Sequence, residues 1–190
     1  MTDWSRALSL IRNAGFGVGP GLSTAELSDV EERYGLRFPP DLRDLLSTGL
    51  PTGDGFPNWR DRDRTRIDDR LAWTAESVCF DIEHSAFWWP SWGPRPLAVK
   101  AACDLARQRI AEAPALIPLF CHRYLPAEPF EAGNPVFSAY QTDIICYGRD
   151  LDAWLELEFG RASYREATTH PRYIPFWSDL AESNNRPPPN

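Results

Sequence analysis

The order of helix and strand signals along this 190-residue chain is that of an α+β fold. Three observations carry the reading. Helical periodicities fill the first fifty residues and return after residue 97. Short apolar runs suited to strands gather between Leu116 and Tyr147, two of them only two residues apart, as in an antiparallel hairpin. The length suits one well-formed core rather than two, so residues 1–182 are expected to form a single domain.

The first helix is expected over Asp3 to Asn13, with Trp4, Ala7, Leu8 and Ile11 on one face and Gly15 as its stop. The glycines of GFGVGPG, Gly15 to Gly21, follow a helix rather than a strand and enclose Pro20, which makes the stretch a connecting turn and not a phosphate cradle. The second helix has the clearest local signal. Ser23 and Glu26 form a capping-box pattern, Leu22 and Leu27 sit at staple positions, and Leu27, Val30 and Tyr34 form the inward face before Gly35. After Leu36 and Phe38, Pro39 and Pro40 lead into a short helix with Leu42, Leu45 and Leu46 inward, closed by Gly49 and Pro51.

From Thr52 to Asp69 the chain is rich in Gly, Pro, Asp and Arg, and RDRDRTRIDDR alternates charge sign. That pattern suits a solvated loop or an exposed helix start, and also a polar rim facing a partner. Val78, Phe80 and Ile82 alternate with Cys79 and Asp81 and predict a strand, while Trp88 to Pro96 is too broken by prolines to be regular. A helix follows over about 97–113, with Ala102, Leu105, Ala106 and Ile110 on one side and Pro114 at its end. Leu116 to Phe120 reads as a buried strand that Pro118 assigns to an edge or a bulge.

The segment from His122 to Gly160 opens with a polar patch, His122, Arg123 and Tyr124, and passes through Pro126 and Pro129 to the turn-forming Gly133, Asn134 and Pro135. Strands over Val136 to Tyr140 and Asp143 to Tyr147 flank Gln141 and Thr142. Asp150 then caps a helix burying Leu151, Trp154, Leu155 and Phe159, with Gly160 as its stop. YIPFWSDL carries enough apolar surface to dock on the body, and the terminal ESNNRPPPN is expected to be disordered, with residues 183–190 outside the domain.

A formal charge of −7 and a pI near 5.0 disfavour a general grip on nucleic-acid phosphates and suit a basic partner. Nothing near the N-terminus resembles an export signal and no stretch is long enough to span a bilayer, so a cytoplasmic location is expected and Cys79, Cys103, Cys121 and Cys146 are read as reduced thiols. Neither Cys121 with His122 nor Cys79 with His84 has the paired spacing of a structural zinc site. His122, Ser138 and Asp143 lack the elbow that would expose a nucleophilic serine. No catalytic residue, metal or cofactor is assigned.

Two groups remain as candidates for binding. Trp88 and Trp92, with Trp89 between them, are rings for core packing, or anchors that stay open beside Arg95, since Trp, Tyr and Arg dominate interface energetics. His122, Arg123 and Tyr124 either form a structural polar cluster holding the Asn134 turn or line a cleft for a partner's carboxylate or backbone.

In order and spacing, LSTAELSDVEERYGLRFPPDLRDLL, FPNWRD, FWWPSWGPRP, LIPLFCHRYLP, GNPVFS, TDIICYG and IPFWSDL resemble the SUKH superfamily, which includes the yeast cell-wall assembly regulator and many bacterial immunity proteins. The resemblance spans most of the chain. It implies an α+β domain in which helices pack against a mainly antiparallel sheet, and a non-enzymatic protein that neutralises a toxin by direct contact. On that reading the partner is a toxin domain, for instance a basic nuclease, with Asp54, Asp61, Asp63, Asp68 and Asp69 as candidate acidic contacts. The alternative is a regulatory or scaffold domain that binds a small ligand or peptide in a central cleft.

Overall fold

The computed structural model describes residues 2–184. In chain order the elements are α1 (Trp4–Asn13), β1 (Gly17–Pro20), α2 (Thr24–Tyr34), α3 (Pro40–Thr48), β2 (Gly49–Thr52), α4 (Thr65–His84), a single 3-10 turn (Pro90–Trp92), α5 (Val99–Ala111), β3 (Leu116–Phe120), β4 (Arg123–Pro126), β5 (Val136–Tyr140), β6 (Asp143–Gly148), α6 (Leu151–Glu158), α7 (Tyr164–Ala167) and α8 (Trp177–Asn184). The strands form two antiparallel sheets, β1-β2 and the meander β3-β4-β5-β6, so the fold class is α+β. No helix among the described residues is long and apolar enough to cross a membrane.

Side-chain chemistry starts the helices, at Ser23 and Asp150 where the sequence places caps, and at Asp3, which caps α1 rather than forming its first turn. Asp3 accepts from the Ser5 and Arg6 amides, Asp150 from the Ala153 amide, and Ser23 and Glu26 close a reciprocal capping box around the first turn of α2. Gly35 ends α2 at φ 63°, a left-handed geometry that glycine adopts without a Cβ penalty. Glu26 also binds Arg60 and serves its own cap, and these hydrogen bonds hold its carboxyl down to about 2.

The four-stranded sheet is covered on both faces, which is why its strands show little alternation of apolar and polar residues. Ile117, Leu119, Leu125 and Val136 pack with α1, α2, α3 and α6, in a core that includes Ile11, Leu42 and Trp154. Leu116, Tyr124, Phe137 and Ile144 join α4, α5 and α8 in a second core with Val78, Ile82, Ala106 and Trp177. Both edges of the sheet are guarded. Pro118 withholds an N–H from β3 and sits at a register shift, while carbonyls along β6 accept from side chains, Ile144 from Asn184 and Cys146 from the Tyr164 hydroxyl.

Four sequence expectations are corrected. Residues 78–82 are helical, not a strand: Ile67, Leu71, Thr74, Val78 and Ile82 recur at i, i+4, i+7, i+11 and i+15, and this longer period governs a 20-residue helix in which Phe80 points outward. Gly17–Pro20 is a strand within the expected turn, held by pairing with the sequence-distant Gly49–Thr52. Arg123–Pro126 is a strand as well, four residues long and too short to show a period. Finally, α8 runs through Asn184, so Ser183 and Asn184 belong to the folded body; the rest of the expected tail lies outside the described residues.

Candidate functional site

The residues read as one cleft lie in four separate places. Trp92 is buried in the α4-side core and stacks on Phe176, and Trp88, half-buried, meets it edge-on and donates its indole N–H to the Gly93 carbonyl. Arg95 donates to the Ile82 carbonyl near the C-terminus of α4, where a positive charge is favourable. These residues perform packing and capping. Asn134 is fully buried, donates to the Pro126 and Pro129 carbonyls and accepts from Arg172. It holds its turn through those partners rather than through His122 or Arg123.

Strand geometry divides the remaining three. Successive residues of β4 face opposite sides of the sheet, so Arg123 and Tyr124 diverge. Arg123, 9% exposed, turns to the α6 side, where it pairs with Glu158 at 2.9 Å, donates to the Ser138 hydroxyl at 2.9 Å and lies 3.8 Å above the Tyr147 ring. Ser138 thus bonds Arg123, and among the described residues no hydrogen bond joins its side chain to His122 or Asp143. Tyr124 turns to the α4 side and donates to the Arg70 carbonyl. Burial, with the nearby Arg123 charge, pushes the His122 imidazole below its ordinary value of 6.5, favouring the neutral ring at neutral pH.

His122 and Tyr124 open instead onto the outer flank of α4. There a cleft of 310 Å³ is lined by Asp69, Arg70, Trp73, Cys121, His122, Tyr124 and Tyr140. Trp73 and Tyr140 are shared with a second hollow of 280 Å³ bounded by Glu76, Ser77 and Phe80. Three of the rings are open to solvent, Trp73 at 42%, Phe80 at 47% and Tyr140 at 55%, while Tyr124 is buried. Helical spacing produces the row, because residues 69, 73, 76, 80 and 84 fall on one stripe of α4. The β5-β6 hairpin brings Tyr140 against it, with Trp73 and Tyr140 centroids 6.5 Å apart. Asp81 clamps the hairpin to the helix by accepting from the Thr142 amide and hydroxyl at 2.9 and 2.6 Å.

The acidic candidates separate by occupation. Asp63 accepts from the Thr65 amide and hydroxyl, which lower its carboxyl below the usual range, and Asp68 pairs with Arg64 at 3.3 Å. Asp54 and Asp61 come together in a third cleft, 460 Å³ in volume, between the 51–58 loop and the start of α4, with Arg66 and Arg70 on its wall. Asp69 lies on the adjoining Trp73 cleft. The interleaved arginines break any continuous acidic face. Among the described residues no three His, Cys, Asp or Glu side chains form a metal-binding group.

The sequence reading missed Trp73, Phe80 and Tyr140. The strand period groups Phe80 with Val78 and Ile82, and nothing in the sequence pattern singles out Trp73. Helical periodicity measured from Ile67 to Ile82 would have placed both rings outward.

No family model, curated protein or solved structure matches the chain.

Proposed function

We propose that this chain is a non-enzymatic protein-binding module whose docking surface is the outer flank of α4 with the β5-β6 hairpin. The observation that supports it most is the group of Trp73, Tyr140 and Phe80, three exposed rings that line two adjoining hollows on the α4 flank. Large rings in shallow hollows are the groups that dominate protein interfaces. Single exposed apolar residues are ordinary, whereas contiguous ones mark contact surfaces.

Taken with the resemblance to the SUKH superfamily, the reading extends to an immunity protein of that group, acting in the cytoplasm, that neutralises a toxin domain by direct binding. The charge of −7 favours a basic partner, through faster encounter and rejection of acidic competitors. The test is co-expression with a toxin domain encoded beside this gene. The expected result is restored growth and co-purification of the two chains, both lost in the Trp73→Ala/Tyr140→Ala double variant while the fold persists. A toxin that stays active and unbound beside the wild-type chain overturns the immunity reading, and binding that ignores both substitutions overturns the site.

A further inference from the structure

The three clefts adjoin in a row along α4 and form a trough of linked hollows. Arg70 lines both the Asp54 cleft and the His122 cleft, and Trp73 and Tyr140 line both the His122 cleft and the Phe80 hollow. From Arg66 to Phe80 the trough follows α4 for about 21 Å at about 1.5 Å per residue. An extended segment rises about 3.3 Å per residue, so about six residues fill that length. The two ends differ in chemistry. One is aromatic. At the other, the Asp54 side chain makes neither hydrogen bond nor ion pair among the described residues and Asp61 accepts only the Asp63 amide through its side chain, while Asp69, its side chain likewise unpaired, lies between the two ends.

We infer that the trough receives an extended linear segment of the protein partner, with an aliphatic or aromatic side chain seated between Trp73 and Phe80 and a Lys or Arg side chain reaching Asp54 and Asp61. The inference rests on the protein-binding reading and names the form of the partner. Arg66 forms no ion pair among the described residues, and Arg70 donates only to the Gly55 carbonyl. Their remaining N–H groups suit the main-chain carbonyls that an extended segment leaves unpaired. His122, held toward neutrality at the middle of the trough, adds no repulsion toward a cationic side chain. Three unpaired carboxylates against two guanidiniums leave the trough net acidic, complementary to a basic segment.

The test uses the full chain, immobilised, against a phage-displayed library of random linear peptides about seven residues long, matched to the trough at about 3.3 Å per residue. The expected winners carry Lys or Arg a few residues from a Leu, Ile, Phe, Tyr or Trp. The Kd of a synthetic winner should rise about tenfold or more in Trp73→Ala, as for an interface anchor, and again in Asp54→Asn/Asp61→Asn, with circular dichroism unchanged. No enriched sequence, acidic winners, or affinity indifferent to both variants overturns the inference. If the peptide screen fails while Trp73-dependent capture of a folded toxin domain succeeds, the protein-binding reading stands and only the extended form of the partner is refuted.

Discussion

The helical layers on the two sides of the sheet treat their aromatic residues in opposite ways. On the α6 side Phe16, Phe56, Phe120 and Phe159 form a closed set in which every pair of rings lies 4.6 to 5.9 Å apart, and Trp154 extends it at 5.9 Å from Phe159. On the α4 side Trp92, Phe176 and Trp177 pack inward, but Trp73, Phe80 and Tyr140 stand outside with room between them. The first set has its partners within the chain. Of the first four rings Phe56 alone lines one of the clefts along α4, whereas all three of the second line them, and this difference separates aromatic residues that hold the fold from those free to hold something else.

The comparison can be broken most decisively at Trp154, which is 1% exposed. Trp154→Ala should cost about 3–5 kcal/mol through lost burial and the cavity left behind, read as a lower urea midpoint with an unchanged slope. A loss under about 1 kcal/mol would mean that the α6 side is no tighter than the α4 flank. Asn134→Ala comes next. It removes the donor to the Pro126 and Pro129 carbonyls and leaves buried polar groups unsatisfied, at a cost of about 1–3 kcal/mol, and Asn134→Asp should not rescue it because the replacement lacks that donor.

Carboxyl titration sharpens the same contrast between satisfied and buried groups. Glu26, held by Arg60 and its capping box, should titrate near pH 2 by carbon-detected NMR. Asp41, raised above 3.8 mainly by burial although the Gly133 and Leu42 amides oppose the shift, should titrate later, reversing their ordinary order of 4.5 and 3.8. The linkage signs are opposite. Glu26 stabilises the fold fully above pH 4.5, and that contribution is lost as pH falls from 4.5 toward 2. Protonated Asp41 is favoured in the folded state, so its contribution is present below 3.8 and is lost as pH rises through its raised value. Glu26→Gln should therefore flatten the acid limb of the unfolding curve.

The smallest effect on stability is expected where the effect on binding is largest. Trp73→Ala and Phe80→Ala should each shift unfolding by no more than about 0.5 kcal/mol, because surface substitutions away from caps and cores rarely do more. A loss of several kcal/mol in either variant would make the ring a structural member and erase the distinction between the two sides.

Much of the fold was legible because its signals are local. The caps at Ser23 and Asp150 act within a few residues, and the hairpin around Gln141 and Thr142 closes on its immediate neighbours. The strands at Gly17–Pro20 and Arg123–Pro126 were not, since each depends on a partner strand and only four residues carry the pattern. At residues 78–82 two periods coincide over five residues, and only the whole of α4 decides between them. The candidate site suffered most. His122 and Arg123 adjoin in sequence and were grouped on that ground, but the alternation of a strand sends Arg123 to Glu158 and Tyr124 to the α4 side.

By itself the sequence determined the α+β class, the caps at Ser23 and Asp150, the glycine stop of α2, the edge role of Pro118 and the acidic balance, because capping, turn chemistry and charge act over short reach or by simple sum. Tertiary structure alone decided which side chains share a surface. A helix stripe, a hairpin tip and a loop distant in sequence meet along α4 through the Asp81 clamp and the strand pairings, and local pattern does not encode which faces long-range packing leaves uncovered.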